Sequence, residues 1–289
     1  MWPEGYWLTN GVVEALVVPA IGRVLQFRSV GDAEGTFWES SFDQAAPGEW
    51  SNFGGDKCWP APQSSWPRQQ GHAWPPPPGF DASPMQATVS GNSLLLTSPV
   101  DPTWGVQVVR AIELDAEKPR MRIQTEYRKV SGEPVRVGIW TVTQMREPIR
   151  IGMKLQASSR FPDSYARLLD ATPADLRVQN GVLSLARHCS AYTKIGSDGS
   201  ALAWVGNACV VRIEVQPEAG EYPDGGCVTE IYTNPDPLGY VELETLSPLA
   251  TMHCGSSIRQ TVTYTLAPRS CDDPFLETET ALCSAEDRS

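Results

Sequence analysis

Hydrophobic and polar residues alternate along much of this chain with the two-residue period of a β-strand. The clearest case is the last such segment, where one face is apolar and the other is polar. The apolar face comprises Ile258, Val262, Tyr264 and Leu266, and the polar face comprises Arg259, Thr261, Thr263 and Thr265. Residues 121–130 and 135–139 alternate in the same way. Long strands with one packed face predict an all-β fold, a large antiparallel β-sandwich of two sheets.

Turn sequences separate these strands. Asn180-Gly181 lies between two strand-like segments and predicts a hairpin, because both residues tolerate the positive φ of a type I′ turn. Three further dipeptides mark turns in the same way: Gly91-Asn92, Ser131-Gly132 and Asp198-Gly199. No repeat of fixed length is visible, which argues against a propeller.

Two segments interrupt the strand pattern. Residues 44–84 hold four of the ten tryptophans and a run of four prolines, and a loop of that length is usually functional when it is ordered. Residues 270–289 are acidic and weakly apolar. We therefore expect one sandwich domain over residues 1–269, with a Trp/Pro-rich loop at 44–84, and an acidic tail at 270–289 that lies on the surface or is mobile.

Net charge restricts the partners that the chain can bind. The formal charge of −11 repels phosphate backbones, and no Lys/Arg-rich block offsets it, so we expect no nucleic acid partner. No apolar run approaches the roughly 20 residues that cross a bilayer, so we expect no membrane contact. The start of the chain does not read as a signal peptide, which favours the cytoplasm, or the periplasm or exterior if such a peptide has been removed.

Cysteine and histidine spacing argues against metal and disulfide chemistry. The seven cysteines are an odd number without a CxxC pair, and we expect most of them to be small buried apolar residues. The three histidines show no HxH or HxxH spacing. The sequence therefore predicts no metal and no cofactor.

Three ordered stretches carry a family resemblance. They are YWLTNG at 6–11 with VVPAIGRV at 17–24, GGDKCWPAPQ at 54–63, and GYVELE at 239–244 with SPL at 247–249 and CGS at 254–256. Together they resemble the galactose-mutarotase-like superfamily, in particular its DUF4380-type bacterial family. The resemblance implies a β-sandwich whose concave sheet binds a small-molecule carbohydrate, with aldose 1-epimerase activity as the family's chemistry.

One departure from that family concerns the catalytic acid. Mutarotases of this type carry a histidine on a central strand, and the similar stretch here, GIWTVTQ at 138–144, has none. The resemblance places Trp140 and Gln144 of this stretch at the sugar site. It therefore supports the fold and sugar binding more strongly than it supports the reaction.

Anomer interconversion needs a base for the C1 hydroxyl and an acid for the ring oxygen. Glu242 and Glu244 occupy alternate strand positions, so both point to one face, although such a pair is also typical of a solvated strand face. Glu244 matches the family's Leu-Glu pattern and is the expected base, with Glu242 as its neighbour. Candidates for the acid are His72 in the tryptophan-rich loop, Lys57, and the remaining histidines, His188 and His253.

The tryptophan-rich loop supplies the expected sugar contacts. Trp59 and Trp66 are candidates for a wall on which a sugar ring stacks, although Trp-Pro pairs also close the ends of sandwiches. The candidate partners for the sugar hydroxyls are Arg23, Asp56, Lys57 and Gln63. We expect a carbohydrate-binding protein, with aldose 1-epimerase activity as the enzymatic hypothesis.

The alternative is a non-catalytic sugar-recognition or scaffolding module in glycan metabolism, which the missing histidine favours. An accessory domain of a glycosidase or polysaccharide lyase is disfavoured, because no second domain of catalytic size is present. The sequence does not indicate an oligomeric state.

Overall fold

Two antiparallel β-sheets pack face to face in a computed structural model that describes residues 4–40, 50–81, 83–90 and 93–283. Three α-helices are described, α1 (Trp66–Gln70), α2 (Pro78–Asp81) and α3 (Pro274–Leu282), together with two 3₁₀ helices, Pro19–Ile21 and Gln63–Ser65. The strands in chain order are β1 (Tyr6–Thr9), β2 (Val13–Val18), β3 (Arg23–Ser29), β4 (Asp56–Ala61), β5 (Gln86–Ser90), β6 (Ser93–Val100), β7 (Val106–Leu114), β8 (Arg120–Lys129), β9 (Val135–Arg146), β10 (Arg150–Lys154), β11 (Ala166–Arg167), β12 (Ala174–Gln179), β13 (Val182–Ala186), β14 (Thr193–Ser197), β15 (Ala201–Val205), β16 (Cys209–Val215), β17 (Thr229–Thr233), β18 (Tyr240–Leu246), β19 (Ala250–Met252) and β20 (Ser257–Pro268).

Hydrogen bonding between the strands forms two sheets of ten strands each. The first sheet runs β1-β2-β3-β4-β9-β18-β17-β14-β11, with β19 paired to β9. The second sheet runs β12-β13-β10-β15-β16-β20-β8-β7-β6-β5. The pairs between successive strands of the two paths are antiparallel, for example β18 with β9 and β20 with β8. The predicted all-β, two-sheet sandwich is confirmed.

The alternation that predicted β20 matches its burial. Val262, Tyr264 and Leu266 are buried in the core between the sheets, whereas Arg259 on the other face is exposed. Ile258, near the end of the strand, is only half-buried. Inward-facing residues of both sheets thus form one continuous core.

The turn predictions agree with the structure wherever the residues are described. Asn180 and Gly181 have φ values of 52° and 72°, the left-handed values that a tight hairpin between β12 and β13 requires. Ser131-Gly132 joins β8 to β9, and Asp198-Gly199 joins β14 to β15. Gly91-Asn92 lies outside the described residues.

One central strand, β4, lies inside the segment that was predicted to be a loop. It pairs with β9 from Asp56↔Thr143 to Ala61↔Gly138, and all six of its residues are buried. Its sequence, DKCWPA, contains an acid, a base and a proline, so it lacks the usual strand pattern. Residues 50–81, 83 and 84 of this segment are described, whereas residues 44–49 and 82 are not.

The acidic tail also contains structure that its sequence does not indicate. Residues 274–282 form α3, which packs on the second sheet and buries Thr278 and Leu282 completely. Asp273 caps the helix by accepting a hydrogen bond from the backbone N–H of Phe275 at 2.9 Å. Residues 284–289 lie outside the described part of the chain.

Cysteine burial differs from the prediction. Cys58 and Cys227 are buried, but Cys209, Cys271 and Cys283 are half-buried, and Cys189 and Cys254 are exposed. Only two of the seven cysteines are thus fully buried, and most of the seven lie at strand ends or in loops.

Within the described residues, no helix has the length and apolar character that a membrane span requires.

Candidate functional site

A cavity of about 510 Å³ lies against the face of the first sheet that points away from the second sheet. Residues on either side of β4 in the chain also line it, namely Trp50, Asn52, Gln63 and Trp74. Seven aromatic residues line it, namely Trp50, Trp59, Trp74, Trp140, Tyr192, Tyr232 and Tyr240. The other lining residues are Asn52, Gln63, Gln144, Leu169, Lys194, Asn234, Leu238, Glu242 and Glu244.

Strand β18 supplies the two carboxylates of the cavity floor. Glu242 and Glu244 point into the cavity, while Val241 and Leu243, which alternate with them, are fully buried in the core. Register extends this polar face across neighbouring strands, because directly paired residues of a sheet share a face. Glu244 is paired with Glu230 of β17.

Glu244 is held by two donors on one of its oxygens. Trp140 Nε1 donates to Glu244 Oε2 at 2.6 Å, and Lys194 Nζ lies 3.0 Å from the same oxygen. Lys194 Nζ is also 2.7 Å from Glu230 Oε2. Burial favours a lower pKa for Lys194, but the carboxylates of Glu230 and Glu244 outweigh it and raise that pKa. Lys194 therefore stays charged and holds both carboxylates.

Glu242 has weaker partners. Gln144 Nε2 donates to Glu242 Oε1 at 2.8 Å, and the ammonium of Lys57 lies 4.0 Å from that oxygen. Burial raises the pKa of Glu242, Lys57 opposes this shift, and the charge of Glu244 adds to it. The two carboxylates of one strand thus differ, because only Glu244 has a close ammonium partner.

Lys57 lies just behind this floor. Its side chain is 1% exposed, and its Nζ has no hydrogen-bond partner among the described residues. The ammonium lies 4.9 Å from the ring centroid of Trp59. Burial lowers the pKa of Lys57 to about 8, against the opposing effect of Glu242.

Four indole rings that line the cavity, those of Trp50, Trp59, Trp74 and Trp140, form what we call the tryptophan wall. The rings of Trp59 and Trp140 meet edge to face with centroids 5.1 Å apart. Asp81 fixes two members, since it accepts hydrogen bonds from Trp59 Nε1 at 2.7 Å and from Trp50 Nε1 at 2.9 Å. The wall is therefore pinned by a carboxylate of α2.

The structure brings six of the residues suggested by sequence into the cavity lining, namely Trp59, Gln63, Trp140, Gln144, Glu242 and Glu244. Lys57 lies behind them. Trp66 is fully buried behind the wall, where its Nε1 donates to the carbonyl of Pro60. Arg23 is also fully buried and forms an ion pair with Asp81 at 2.7 Å. Both residues support the wall and do not line the cavity.

Two further candidates lie elsewhere. Asp56 is buried between the sheets, where it pairs with Arg110 and accepts a hydrogen bond from Thr143 Oγ1 at 2.8 Å. Alternation along β4 explains this, because Lys57 faces the cavity side and Asp56 the opposite side. His72 lies in the exposed segment after α1, beside Gln70. None of the three histidines lines the cavity.

Sequence reasoning missed the residues of β14 and β17 at this site. Lys194 and Tyr232 join the cavity lining, with Glu230 fully buried beside them, only because β17 and β14 follow β18 in the sheet. Alternation within β17 places Glu230 and Tyr232 on one face, but the sequence does not indicate which strands are neighbours. In the described part of the chain, no group of three or more His, Cys, Asp or Glu is placed to hold a metal ion.

Comparison with models of known protein families assigns the chain to a family. A family model described as a domain of unknown function, DUF4380, matches residues 6–267. The chain belongs to the DUF4380 family. No curated protein matches this DUF4380 chain.

Solved structures similar to this DUF4380 protein share its fold. A galactose mutarotase-like protein from Lactobacillus casei is 7% identical with a TM-score of 0.61, and the match covers 91% of this chain and 100% of that one. A candidate aldose 1-epimerase from Escherichia coli is 12% identical, with a TM-score of 0.56 and coverage of 91% and 99%. A galactose mutarotase related enzyme from Lactobacillus acidophilus is 9% identical, with a TM-score of 0.55 and coverage of 91% and 97%. These matches establish the galactose-mutarotase-like fold.

Proposed function

We propose that this DUF4380 protein binds a monosaccharide in the cavity on the first sheet and interconverts its anomers. The observation that carries the proposal is that the tryptophan wall and two differently held carboxylates line the same cavity of about 510 Å³. Indole faces pack against the C–H faces of a sugar ring, and carboxylate and amide groups bind its hydroxyls. Similarity to proteins described as mutarotase-like supports the same function.

Glu244 is the proposed base. Trp140 Nε1 and Lys194 Nζ both contact one of its oxygens, Oε2, and hold the carboxylate in the cavity lining. In the proposed reaction it takes the proton of the C1 hydroxyl. The C1–O5 bond then breaks, C1 becomes the aldehyde carbon, and the ring opens.

Glu242 is the proposed acid, in place of the histidine that mutarotases carry. It lacks a close ammonium partner and its pKa is raised by burial, which favours the neutral carboxyl that can donate a proton. Glu242 gives its proton to the ring oxygen as Glu244 accepts one from O1. After rotation about C1–C2, ring closure on the other face returns both protons, so the enzyme is regenerated.

Anomer exchange measured by NMR on a panel of aldoses tests this function. Glu244→Gln keeps the shape of the side chain and removes the proton acceptor, so we expect exchange to fall by roughly 10²- to 10⁴-fold. Glu133→Gln, on an exposed turn, is the matched control and should exchange anomers like the wild type. Exchange by Glu244→Gln at the wild-type rate would exclude Glu244 as the base.

A second function, a non-catalytic sugar-recognition module, is favoured by one observation. Glu244 Oε2 is already engaged by Trp140 and Lys194, as in a structural ion pair. The same panel separates the two functions. Sugars that bind but do not exchange anomers faster than in buffer would support the module, and sugars that do not bind at all would exclude both.

A further inference from the structure

Exposed apolar side chains surround the mouth of the cavity. Four of the thirteen large apolar residues that are exposed in the described chain line this one cavity. They are Trp74 (45% exposed), Leu169 (40%), Tyr192 (56%) and Leu238 (44%), which we call the apolar rim. Solvent-exposed apolar residues gathered at one opening are typical of a binding surface.

The floor of the cavity has the opposite character. Glu242, Glu244 and Gln144 are 8%, 1% and 1% exposed, so the groups that bind hydroxyls lie deep. Gln144 Oε1 is buried and has no hydrogen-bond partner among the described residues, which leaves an acceptor for a ligand at that depth. The cavity is thus polar at its floor and apolar at its mouth.

Two polar side chains of the cavity lining, those of Asn234 and Trp50, are already engaged. The side-chain amide of Asn234 donates to the carbonyls of Pro235 and Leu238, and its oxygen accepts from Tyr232. Trp50 Nε1 donates to Asp81. The hydroxyls of a second sugar ring beside Asn234 and Trp50 would lose water without gaining these two side chains as partners, which costs binding free energy. An apolar group at the same position has no hydrogen bonds to water to lose, and it shields Leu169 and Leu238 from solvent.

We propose that the ligand is a sugar carrying an apolar substituent, with the sugar ring at the floor and the substituent against Leu169, Tyr192, Leu238 and Trp74. This inference rests on the proposed sugar binding and adds the class of the ligand. A volume of about 510 Å³ is in the range of cavities that enclose drug-sized ligands, and it accommodates more than one ring. If anomers are exchanged, the substituent occupies a hydroxyl other than the one at C1.

Calorimetry with paired ligands tests the ligand class. One set of pairs comprises methyl and n-hexyl glycosides of glucose and galactose, and a further pair comprises glucose and 6-O-hexanoyl-glucose. Burial of two methylenes against the rim is enough for about ten-fold tighter binding, so we expect the hexyl or hexanoyl member of a pair to bind at least that much more tightly. Equal affinity within every pair that binds would overturn the inference and leave the proposed function intact. Absence of binding by all of these ligands and by the aldose panel would instead exclude the proposed function.

Two double variants assign the preference to the rim. Leu169→Ser with Leu238→Ser should reduce the affinity ratio of a pair to about one. Val89→Ser with Val178→Ser, at positions 68% and 50% exposed on the second sheet, is the matched control and should keep the ratio. An unchanged ratio in the rim variant would overturn the inference. So would a wild-type dimer in size-exclusion chromatography that this variant converts to a monomer, because the rim would then be a contact between two copies of the chain.

Discussion

Two lysines at the candidate site show how neighbours decide the properties of one residue type. The side chain of Lys57 is 1% exposed and that of Lys194 is 18% exposed, and each ammonium lies within 5 Å of an indole ring centroid, at 4.9 and 4.7 Å. Lys194 has carboxylate oxygens at 2.7 and 3.0 Å, whereas Lys57 has one at 4.0 Å. Coulomb attraction therefore exceeds the desolvation penalty at Lys194 but not at Lys57.

Replacement of Lys57 by methionine tests this difference. The pKa of about 8 in the folded protein lies below the ordinary value of 10.5, so the folded state binds fewer protons than the unfolded state between these pH values. Wild-type stability should therefore rise with pH across that range, because the cost of the buried charge disappears. We expect the free energy of unfolding of Lys57→Met minus that of the wild type to decrease by roughly 2–3 kcal/mol between pH 7 and pH 10.

Urea unfolding of both proteins across this pH range measures the effect. Lys118→Met, at an exposed position, is the control, and its stability relative to the wild type should stay nearly constant with pH. A constant difference between Lys57→Met and the wild type would show that Lys57 is not desolvated in the folded protein.

Single strands and turns of this fold are predictable from sequence when one face is buried and the other is exposed. The alternation of β20 and the Asn180-Gly181 hairpin are both confirmed for this reason. In contrast, β4 is buried on both faces and carries Asp56, Lys57 and Pro60 in tertiary contacts, so it has no strand-like periodicity. Helix α3 is nine residues long and only one of its faces packs on the second sheet. Its sequence therefore contains too few apolar residues to show a helical period.

The packing of helix α3 on the second sheet can be tested with two leucine substitutions. Leu282 is fully buried against the second sheet, whereas Leu276 of the same helix is 53% exposed. Leu282→Ala should lower the free energy of unfolding by about 2–4 kcal/mol, because it leaves a cavity under the helix. Leu276→Ala changes the same residue type on the same helix and should cost less than about 1 kcal/mol. Equal effects of the two substitutions in urea unfolding would mean that α3 is not docked in solution.

At the scale of the whole molecule, sheet order assembles the site. The floor contains residues from β9, β14 and β18, which lie far apart in the chain and become neighbours only in the first sheet. Local patterns located the carboxylates of β18, since alternation within one strand is visible in sequence. They did not locate Lys194 or Glu230, because strand pairing depends on the packing of both sheets. Asp56 was placed at the sugar site for a different reason, because β4 was predicted to be part of a loop and its alternation was not applied.

A buried network between the two sheets involves Asp56. Its carboxylate, on β4 of the first sheet, pairs with Arg110 of β7 and accepts a hydrogen bond from Tyr264 of β20, both in the second sheet. Thr143 of β9 donates to the same carboxylate. Asp56 and Arg110 are both fully buried, so each is the other's charge partner without access to solvent. The network therefore connects the sheet that carries the cavity to the sheet that supports it.

Asp56→Asn removes one charge of this pair and separates a structural role from sugar binding. The guanidinium of Arg110 would remain buried without its counter-ion, so we expect the free energy of unfolding to fall by about 3–5 kcal/mol. Asp163→Asn, at an exposed position, should change it by less than about 0.5 kcal/mol. Because Asp56 does not line the cavity, the folded fraction of Asp56→Asn should bind the panel sugars with wild-type affinity in calorimetry. A variant of wild-type stability that has lost sugar affinity would place Asp56 at the binding site and not between the sheets.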